Sequence, residues 1–453
     1  MEDDDCLDIL GQQPFLNIYT QLSLVFPLLN PSSHGNIINT LVAGLGRLAK
    51  DVPWVAGQVT NRNGIDGGTG SFRVVPLSST PGLTIRDLRH DESAPTMDGL
   101  RRARFPFRML DEALIAPQKT LQEGIAGAGP DPTPVFAVQA TFITGGLVLT
   151  FVTQHQTMDM TGQRQVMSLL SRLCRGDKLT ESEIADANPT RRGRIPLLDE
   201  SEFPRPGLGL QAAKAPASKP ASDNAPASAT WAYFAFSSES LATLKHLAME
   251  DVAAPRFVST DDTLTAFVWQ SVGRVRLQRI ASDTMSTLGR AVDVRRYLRV
   301  SETSPGMVQH QAFHAHTLQD LAQMPLGAVA SELRAAVDPG TSQLAYTTRA
   351  LATMIDRAGD NSASSLTAGV DPSFADVLIS SWANPSFWRM DFGLGLGTPE
   401  AVRRPCFVPV EGLCYLMPKS PKGEIAVAVC LRDEDLLQLR CDREFSNYAV
   451  YIG

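Results

Sequence analysis

The chain has 453 residues, 43% of them hydrophobic and 20% charged, and carries a net charge of -7. That is ordinary globular composition with ample apolar material for a core, and length alone suggests about three domains at roughly 150 residues each. The acidic balance argues against a nucleic-acid binder, and no stretch approaches the roughly 18 uninterrupted apolar residues of a membrane helix.

Met1-Glu2-Asp3-Asp4-Asp5-Cys6 opens the chain with acids, where a signal or transit peptide would be basic. Cys6, Cys174, Cys406, Cys414, Cys430 and Cys441 show no CxxC pairing. Reduced thiols in a cytoplasmic protein are the expectation.

In chain order, Asn36 to Lys50 carries Ile38, Leu41, Val42, Leu45 and Leu48 at helical spacing. The Asp51-Val52-Pro53 sequence predicts its end, because the residue before proline leaves the helical region. A hairpin is predicted next, from Val135–Phe142 through Thr144-Gly145-Gly146 into Leu147–Thr153, and it delivers Gln154-His155 at a strand end. Gly162 to Cys174 reads as a helix with Val166, Leu169, Leu170 and Leu173 on one face. Residues 204–230 are rich in Pro, Ala, Ser and Lys and nearly free of bulky apolar side chains, the composition of a linker.

Beyond it, Trp231–Phe236 reads as a strand, and Ser238–Asp251 and Thr260–Gln278 as helices. Tyr415–Pro418 and Glu424–Leu431 flank Lys419-Ser420-Pro421-Lys422-Gly423 as a second hairpin, and Asp433–Cys441 is expected to be the last helix. Strands and helices alternate in both halves. The expectation is therefore two α/β domains, 1–203 and 231–453, joined by 204–230, with a ligand cleft between them.

Three motifs could carry chemistry. In His155-Gln156-Thr157-Met158-Asp159 an imidazole that titrates near neutrality stands four residues before a carboxylate. The spacing is weak alone, since about one such pair arises by chance among seven histidines and 48 acids. The bland alternative is a histidine hydrogen-bonded in a tight turn, with Asp159 as the N-terminal acid of the next helix. The second motif, Trp388-Arg389-Met390-Asp391-Phe392-Gly393-Leu394-Gly395-Leu396-Gly397, alternates three glycines, the mark of a backbone that bends or is closely approached. It lacks the strand–turn–helix setting of a dinucleotide loop. The third, His310-Gln311-Ala312-Phe313-His314-Ala315-His316, lacks the glutamate of a zinc metalloprotease helix and reads as a polar strand or loop, with no metal expected. No Gly-x-Ser-x-Gly elbow or phosphate-binding loop is present.

His155 through Asp159 and Asp391 through Gly395, in that order and separation, resemble the paired HxxxD and DFGWG signatures of the BAHD acyltransferases. Within that family the chain is similar to the fungal trichothecene 3-O-acetyltransferases. The likeness shows in Leu10-Gly11-Gln12, Ile18-Tyr19-Thr20-Gln21, Val52 through Val59, Phe257 through Asp262 and Asp391 through Gly397, and is least at 204–230. It implies a two-domain chloramphenicol-acetyltransferase-like α/β fold, with mixed sheets and an interdomain tunnel that admits acyl-CoA and an alcohol from opposite faces. It implies His155 as general base, with no covalent acyl-enzyme, and acetyl-CoA as co-substrate without a metal. Asp159 is expected to be structural, paired with Arg295 of Val292-Asp293-Val294-Arg295. Asp391, Gly393 and Gly395 are expected to shape the fold, and Ser380 and Trp382 to line the reaction centre.

Leu394 replaces the tryptophan of DFGWG, as in the fungal branch. His310 stands where the fungal relatives are expected to carry Asn, which leaves the acceptor open. Gln154 and Met160 stand where related condensation domains carry a second histidine and a glycine, which argues against peptide-bond formation. The expected activity is acetylation of a hydroxyl on a trichothecene-like sesquiterpenoid, by a cytoplasmic monomer with no nucleic-acid or membrane partner. The alternatives are a polyketide or alkaloid alcohol as acceptor, or a catalytically silent metabolite-binding protein.

Overall fold

The computed structural model describes residues 6–62, 71–122, 132–202, 228–252, 257–358, 371, 374–384 and 386–453. The strands, in chain order, are β1 (Tyr19–Pro27), β2 (Gly57–Arg62), β3 (Ser71–Pro76), β4 (Gly82–Asp87), β5 (Phe136–Ile143), β6 (Gly146–Gln154) and β7 (Ala229–Phe236). They continue with β8 (Met285–Asp293), β9 (Gln309–Thr317), β10 (Val377–Ser381), β11 (Ala401–Arg403), β12 (Leu413–Leu416), β13 (Ile425–Arg432) and β14 (Ala449–Tyr451). One sheet has the order β11-β1-β6-β5-β4 and another the order β14-β7-β13-β12-β10-β8-β9, with β2 and β3 as a separate ribbon. Both large sheets are mixed. β4 runs parallel to β5, and β10 runs parallel to β8 and β12, while the remaining pairs are antiparallel.

The first hairpin forms where Thr144-Gly145 turns the chain, Gly145 supplying φ 77° and Ile143 facing Gly146. β5 and β6 are buried along their whole length because helices and chain cover both faces of this sheet, which removes the polar–apolar alternation of a half-exposed strand. The His34–Asp51 helix stops at Val52 before Pro53, and its Ile37, Leu41, Leu45 and Leu48 face the core. The Met160–Cys174 helix packs beside it with Val166, Leu170 and Leu173 inward.

The two halves interlock more than a division at 204–230 suggests. β11, from the expected C-terminal domain, is an outer strand of the N-terminal sheet and pairs Leu24 with Val402. The core is shared as well: Phe392 stacks on Phe151 at 5.3 Å and Tyr233 on Phe107 at 3.9 Å. Most of the expected linker, 203–227, lies outside the described residues. One further expectation is corrected. Asp433–Cys441 is followed by a six-residue helix, Arg443–Tyr448, because Asp442 is extended and its side chain caps Phe445 N at 2.7 Å. β14 then closes the sheet edge against β7.

Among the described residues, no helix is long and apolar enough to cross a membrane.

Candidate active site

A cavity of about 320 Å³ opens between the two halves, and its lining draws on both. The N-terminal half contributes His155, Thr20, Thr120 and Met160, while the C-terminal half contributes His310, Ser380, Trp382, Arg404 and Tyr415.

The chain delivers His155 by running β6 to its last pair, Gln154 opposite Tyr19, and then turning. His155 N still donates to Ile18 O at 2.9 Å, so the backbone of the residue is held by the sheet although its side chain has left it. The turn is fastened by Thr157, whose Oγ1 donates to Gln154 O at 2.6 Å. His155 Nδ1 lies 3.1 Å from Met158 O. A carbonyl only accepts, so Nδ1 carries the hydrogen and Nε2 is left as the basic nitrogen of a ring that lines the cavity. Burial lowers the proton affinity of this imidazole below its ordinary value, against opposing pulls from Met158 O and Asp159, and Arg404 lowers it further. The ring is therefore neutral at neutral pH, the form a proton acceptor requires.

Asp159 does two jobs at once. As the N-cap of the Met160–Cys174 helix its Oδ1 accepts from Gly162 N at 2.9 Å. It also forms a two-pronged pair with Arg295, 2.8 Å from Nη1 to Oδ2 and 3.0 Å from Nη2 to Oδ1, both groups being buried. Val308 N adds a fourth hydrogen bond at 3.0 Å. Arg295 reaches Gly306 O and Ser304 O, so the pair ties the motif loop to the 304–308 segment of the other half. Gly162 permits the close approach, because a Cβ there would stand 3.0 Å from Gly306 N.

Sequence reasoning missed the support behind this loop. Buried Asp8 accepts from Arg191 and Arg194, each at 3.1 Å, and from Met307 N at 3.0 Å, while Arg191 also donates to Thr157 O at 2.8 Å. Nothing in local spacing signals a network gathered from residues 8, 157, 191, 194 and 307.

Ser380 and Trp382 sit at the end of β10 and line the same cavity as His155, with Trp382 Nε1 donating to Ser380 Oγ at 3.0 Å. Asp391, Gly393 and Gly395 do not line it. They form a bend in which Asp391 Oδ1 accepts from Gly393 N at 2.8 Å, and φ is 65°, 74° and 70° at Gly393, Gly395 and Gly397. Arg175 Nη1 and Ser171 Oγ both donate to Asp391 O, which fixes this bend against the end of the Met160–Cys174 helix.

His310 lies on β9, so the 310–316 motif is a strand. Burial pushes its imidazole down to about 4, and it faces the cavity uncharged. Among the described residues, no cluster of His, Cys, Asp and Glu could hold a metal ion.

Residues 18–174 match the trichothecene 3-O-acetyltransferase-like N-terminal domain, and residues 114–446 match the Transferase family. A trichothecene 3-O-acetyltransferase of Fusarium sporotrichioides is 47% identical over 449 residues, which cover 99% of this chain and 97% of the relative. An O-acetyltransferase of Cryptosporiopsis sp. (strain 8999) is also 47% identical, over 99% of this chain and 98% of its own. The crystal structure of the Fusarium sporotrichioides enzyme complexed with coenzyme A and T-2 aligns with a TM-score of 0.91, covering 99% of both chains. A likeness that covers 99% of the chain makes it a member of the BAHD-type transferase family and an acyl-CoA-dependent O-acyltransferase.

Proposed function

We propose that the protein transfers an acetyl group from acetyl-CoA to a hydroxyl of a compact, trichothecene-like alcohol, with His155 as general base. The observation that carries this reading is the setting of His155: Nδ1 committed to Met158 O, on the wall of a cavity that both halves line. The related enzyme solved with coenzyme A and T-2 supports both substrates.

In this mechanism Nε2 takes the hydroxyl proton as the oxygen attacks the thioester carbonyl carbon. The carbon–oxygen bond forms, the tetrahedral oxyanion collapses, the carbon–sulfur bond breaks, and the leaving thiolate recovers the proton from the imidazolium. Asp159 supports the loop through Arg295 and takes no part in proton transfer. Ser380 and Trp382 shape the wall beside the reacting thioester, and Asp391, Gly393 and Gly395 brace the fold behind it. The acyl donor and the acceptor enter from opposite faces of a tunnel between the halves. The protein is read as a monomer, and a cytoplasmic location would put it beside its acetyl-CoA supply.

The lining is mainly apolar, with hydroxyls at Thr20, Thr120, Ser380 and Tyr415 and the guanidinium of Arg404, and suits a compact, rigid acceptor held by few hydrogen bonds. A polyketide or alkaloid alcohol is the second reading. It is favoured by the relative named only as an O-acetyltransferase, which is as identical as the trichothecene enzyme. The test follows free thiol release from acetyl-CoA across a panel of fungal alcohols. A trichothecene with a free 3-hydroxyl is expected to turn over, with flexible primary alcohols and amines poor. Another alcohol with kcat/KM about a hundredfold above any trichothecene, about 2.7 kcal/mol of transition-state preference, would overturn the acceptor. No thiol release with any acceptor would favour a silent binding protein.

A further inference from the structure

Tyr415 on β12 lines the cavity together with His155, and the transfer steps leave its hydroxyl unused. The register fixes which way it points. Leu413 pairs with Leu378 and Tyr415 with Ser380 of β10, and alternate residues of a strand share a face. These four line the cavity, while Cys414 and Leu416 join Val377 and Ile379 in the core on the other side of the sheet. The ring is held from several directions. Its centre lies 4.7 Å from that of Trp382 and 5.9 Å from that of Trp231, and the Arg404 guanidinium carbon stands 4.8 Å from it.

Tyr415 is 7% exposed, and a polar group buried to that degree normally has a hydrogen-bond partner. The other two buried tyrosines do. Tyr19 Oη donates to Pro134 O at 3.0 Å, while Tyr233 Oη donates to Arg404 O at 3.2 Å and accepts from Arg404 N at 2.9 Å. Among the described residues, Tyr415 Oη has no such partner. It is not sealed off either: Trp231 Nε1, on the neighbouring ring, is buried without a partner, whereas the Tyr415 hydroxyl keeps access to the cavity. Burial raises the proton affinity of this phenol, against a smaller lowering pull from Arg404, so the hydroxyl keeps its proton. It offers one donor and two acceptor sites to whatever fills the cavity.

The attacking oxygen is a poor partner for that donor, because a hydrogen bond to it would tie up the lone pair that forms the ester. The acetyl group adds only a methyl and a carbonyl. The walls beside Tyr415 are broader than that. Leu413 lies two residues before it on the same strand face, and Phe407 shares the Arg404 guanidinium with it, at 4.4 Å. Such apolar walls around one hydroxyl suit a carbon skeleton that carries oxygens of its own.

We propose that Tyr415 is a specificity-determining residue for the acceptor: its hydroxyl, unpartnered within the protein, hydrogen-bonds a second oxygen of the alcohol, one that does not react. The inference rests on acetyl transfer as the activity and adds the feature by which the acceptor is chosen, a polyoxygenated rather than a simple alcohol.

The test is a cycle between one variant and a series of substrates. Tyr415→Phe removes the hydroxyl and keeps the ring among Trp382, Trp231 and Arg404, so its melting temperature is expected to match wild type. Thiol release from acetyl-CoA is followed with a trichothecene bearing a free 3-hydroxyl, and with analogues in which each remaining oxygen in turn is replaced by hydrogen. With the parent alcohol, Tyr415→Phe is expected to lose about tenfold in kcat/KM, the effect of leaving one buried hydrogen-bonding group unmet, with KM for acetyl-CoA unchanged. With one analogue, already poor for wild type, the same substitution is expected to cost less than about twofold, because the bond is absent on both sides. A loss of equal size across the series assigns the hydroxyl to the acetyl group or to the fold and overturns the proposal. So does no loss with the parent alcohol, or a change confined to KM for acetyl-CoA. If another alcohol turns over and no trichothecene does, the cycle on that alcohol and its deoxy analogues decides in the same way. Wild-type protein that releases no thiol with any alcohol removes the activity and this inference together, a result distinct from active protein without coupling.

Discussion

A histidine serves as a general base only when it is unprotonated and its accepting nitrogen is uncommitted. His155 meets both conditions through its surroundings: burial disfavours the imidazolium, and Met158 O takes the Nδ1 hydrogen. His155→Ala should therefore abolish transfer while leaving coenzyme A binding and melting temperature close to wild type. A positioned base contributes about 10²- to 10⁴-fold, so a variant that keeps more than about a tenth of the wild-type rate removes His155 from that role. The sign of the pH dependence follows from the lowered proton affinity: activity is present while the ring is neutral and is lost as pH falls through its pKa. The acid limb of kcat/KM is expected below the ordinary histidine value of about 6.5. At this scale the motif was legible in the sequence, and its structural reading is compatible with the proposed role of His155. His155 does sit hydrogen-bonded in a tight turn, and Asp159 does cap the next helix. What spacing hides is that the same carboxylate also holds Arg295, 136 residues away.

At the scale of elements, Asp159 is the joint between the start of the Met160–Cys174 helix and the segment that leads into β9. Asp159→Asn keeps an oxygen for Gly162 N and loses the charge facing Arg295. Leaving one member of a buried ion pair uncompensated costs roughly 3–5 kcal/mol, so thermal unfolding should show a lowered melting temperature together with a lowered rate. A variant with unchanged melting and lost activity would move Asp159 into the chemistry. The helices that were read lie within a few residues of their observed bounds, because amphipathic spacing and caps such as Val52-Pro53 are local signals, but Leu326–Val337 and Leu344–Ala358 were not read. The Met160–Cys174 helix starts two residues before the apolar pattern does, since its cap is set by Asp159. Strands were read where a hairpin turn announced them and at Trp231–Phe236, where an aromatic-rich run follows the linker. β1, β8 and β11 have no flanking Gly-Gly or Pro-Gly hairpin, and β1 is buried along nearly all of its length, so its sequence shows no period of two.

At the scale of the molecule, composition marks 204–230 as the least costly place to interrupt the chain, while the sheets show that the halves are not independent. Three kinds of contact cross the division. β11 covers the edge of β1 over Ser23–Val25; Phe392 and Tyr233 complete the stacks on Phe151 and Phe107; and Arg295 compensates Asp159. Residues 1–202 alone would expose a strand edge and apolar rings and would bury a carboxylate without its partner. Each of these favours aggregation or unfolding over a stable isolated domain. Co-expressed 1–202 and 228–453 keep all three contacts and lose only the connecting segment. The halves are therefore expected to co-purify and to release thiol from acetyl-CoA at a rate near that of the intact chain, whereas 1–202 alone should be insoluble or lack a cooperative melt. A soluble, cooperatively melting 1–202 fragment would show that the N-terminal sheet is complete without β11. Co-purified but inactive halves would show that the segment between them takes part in closing the cavity rather than only joining its walls.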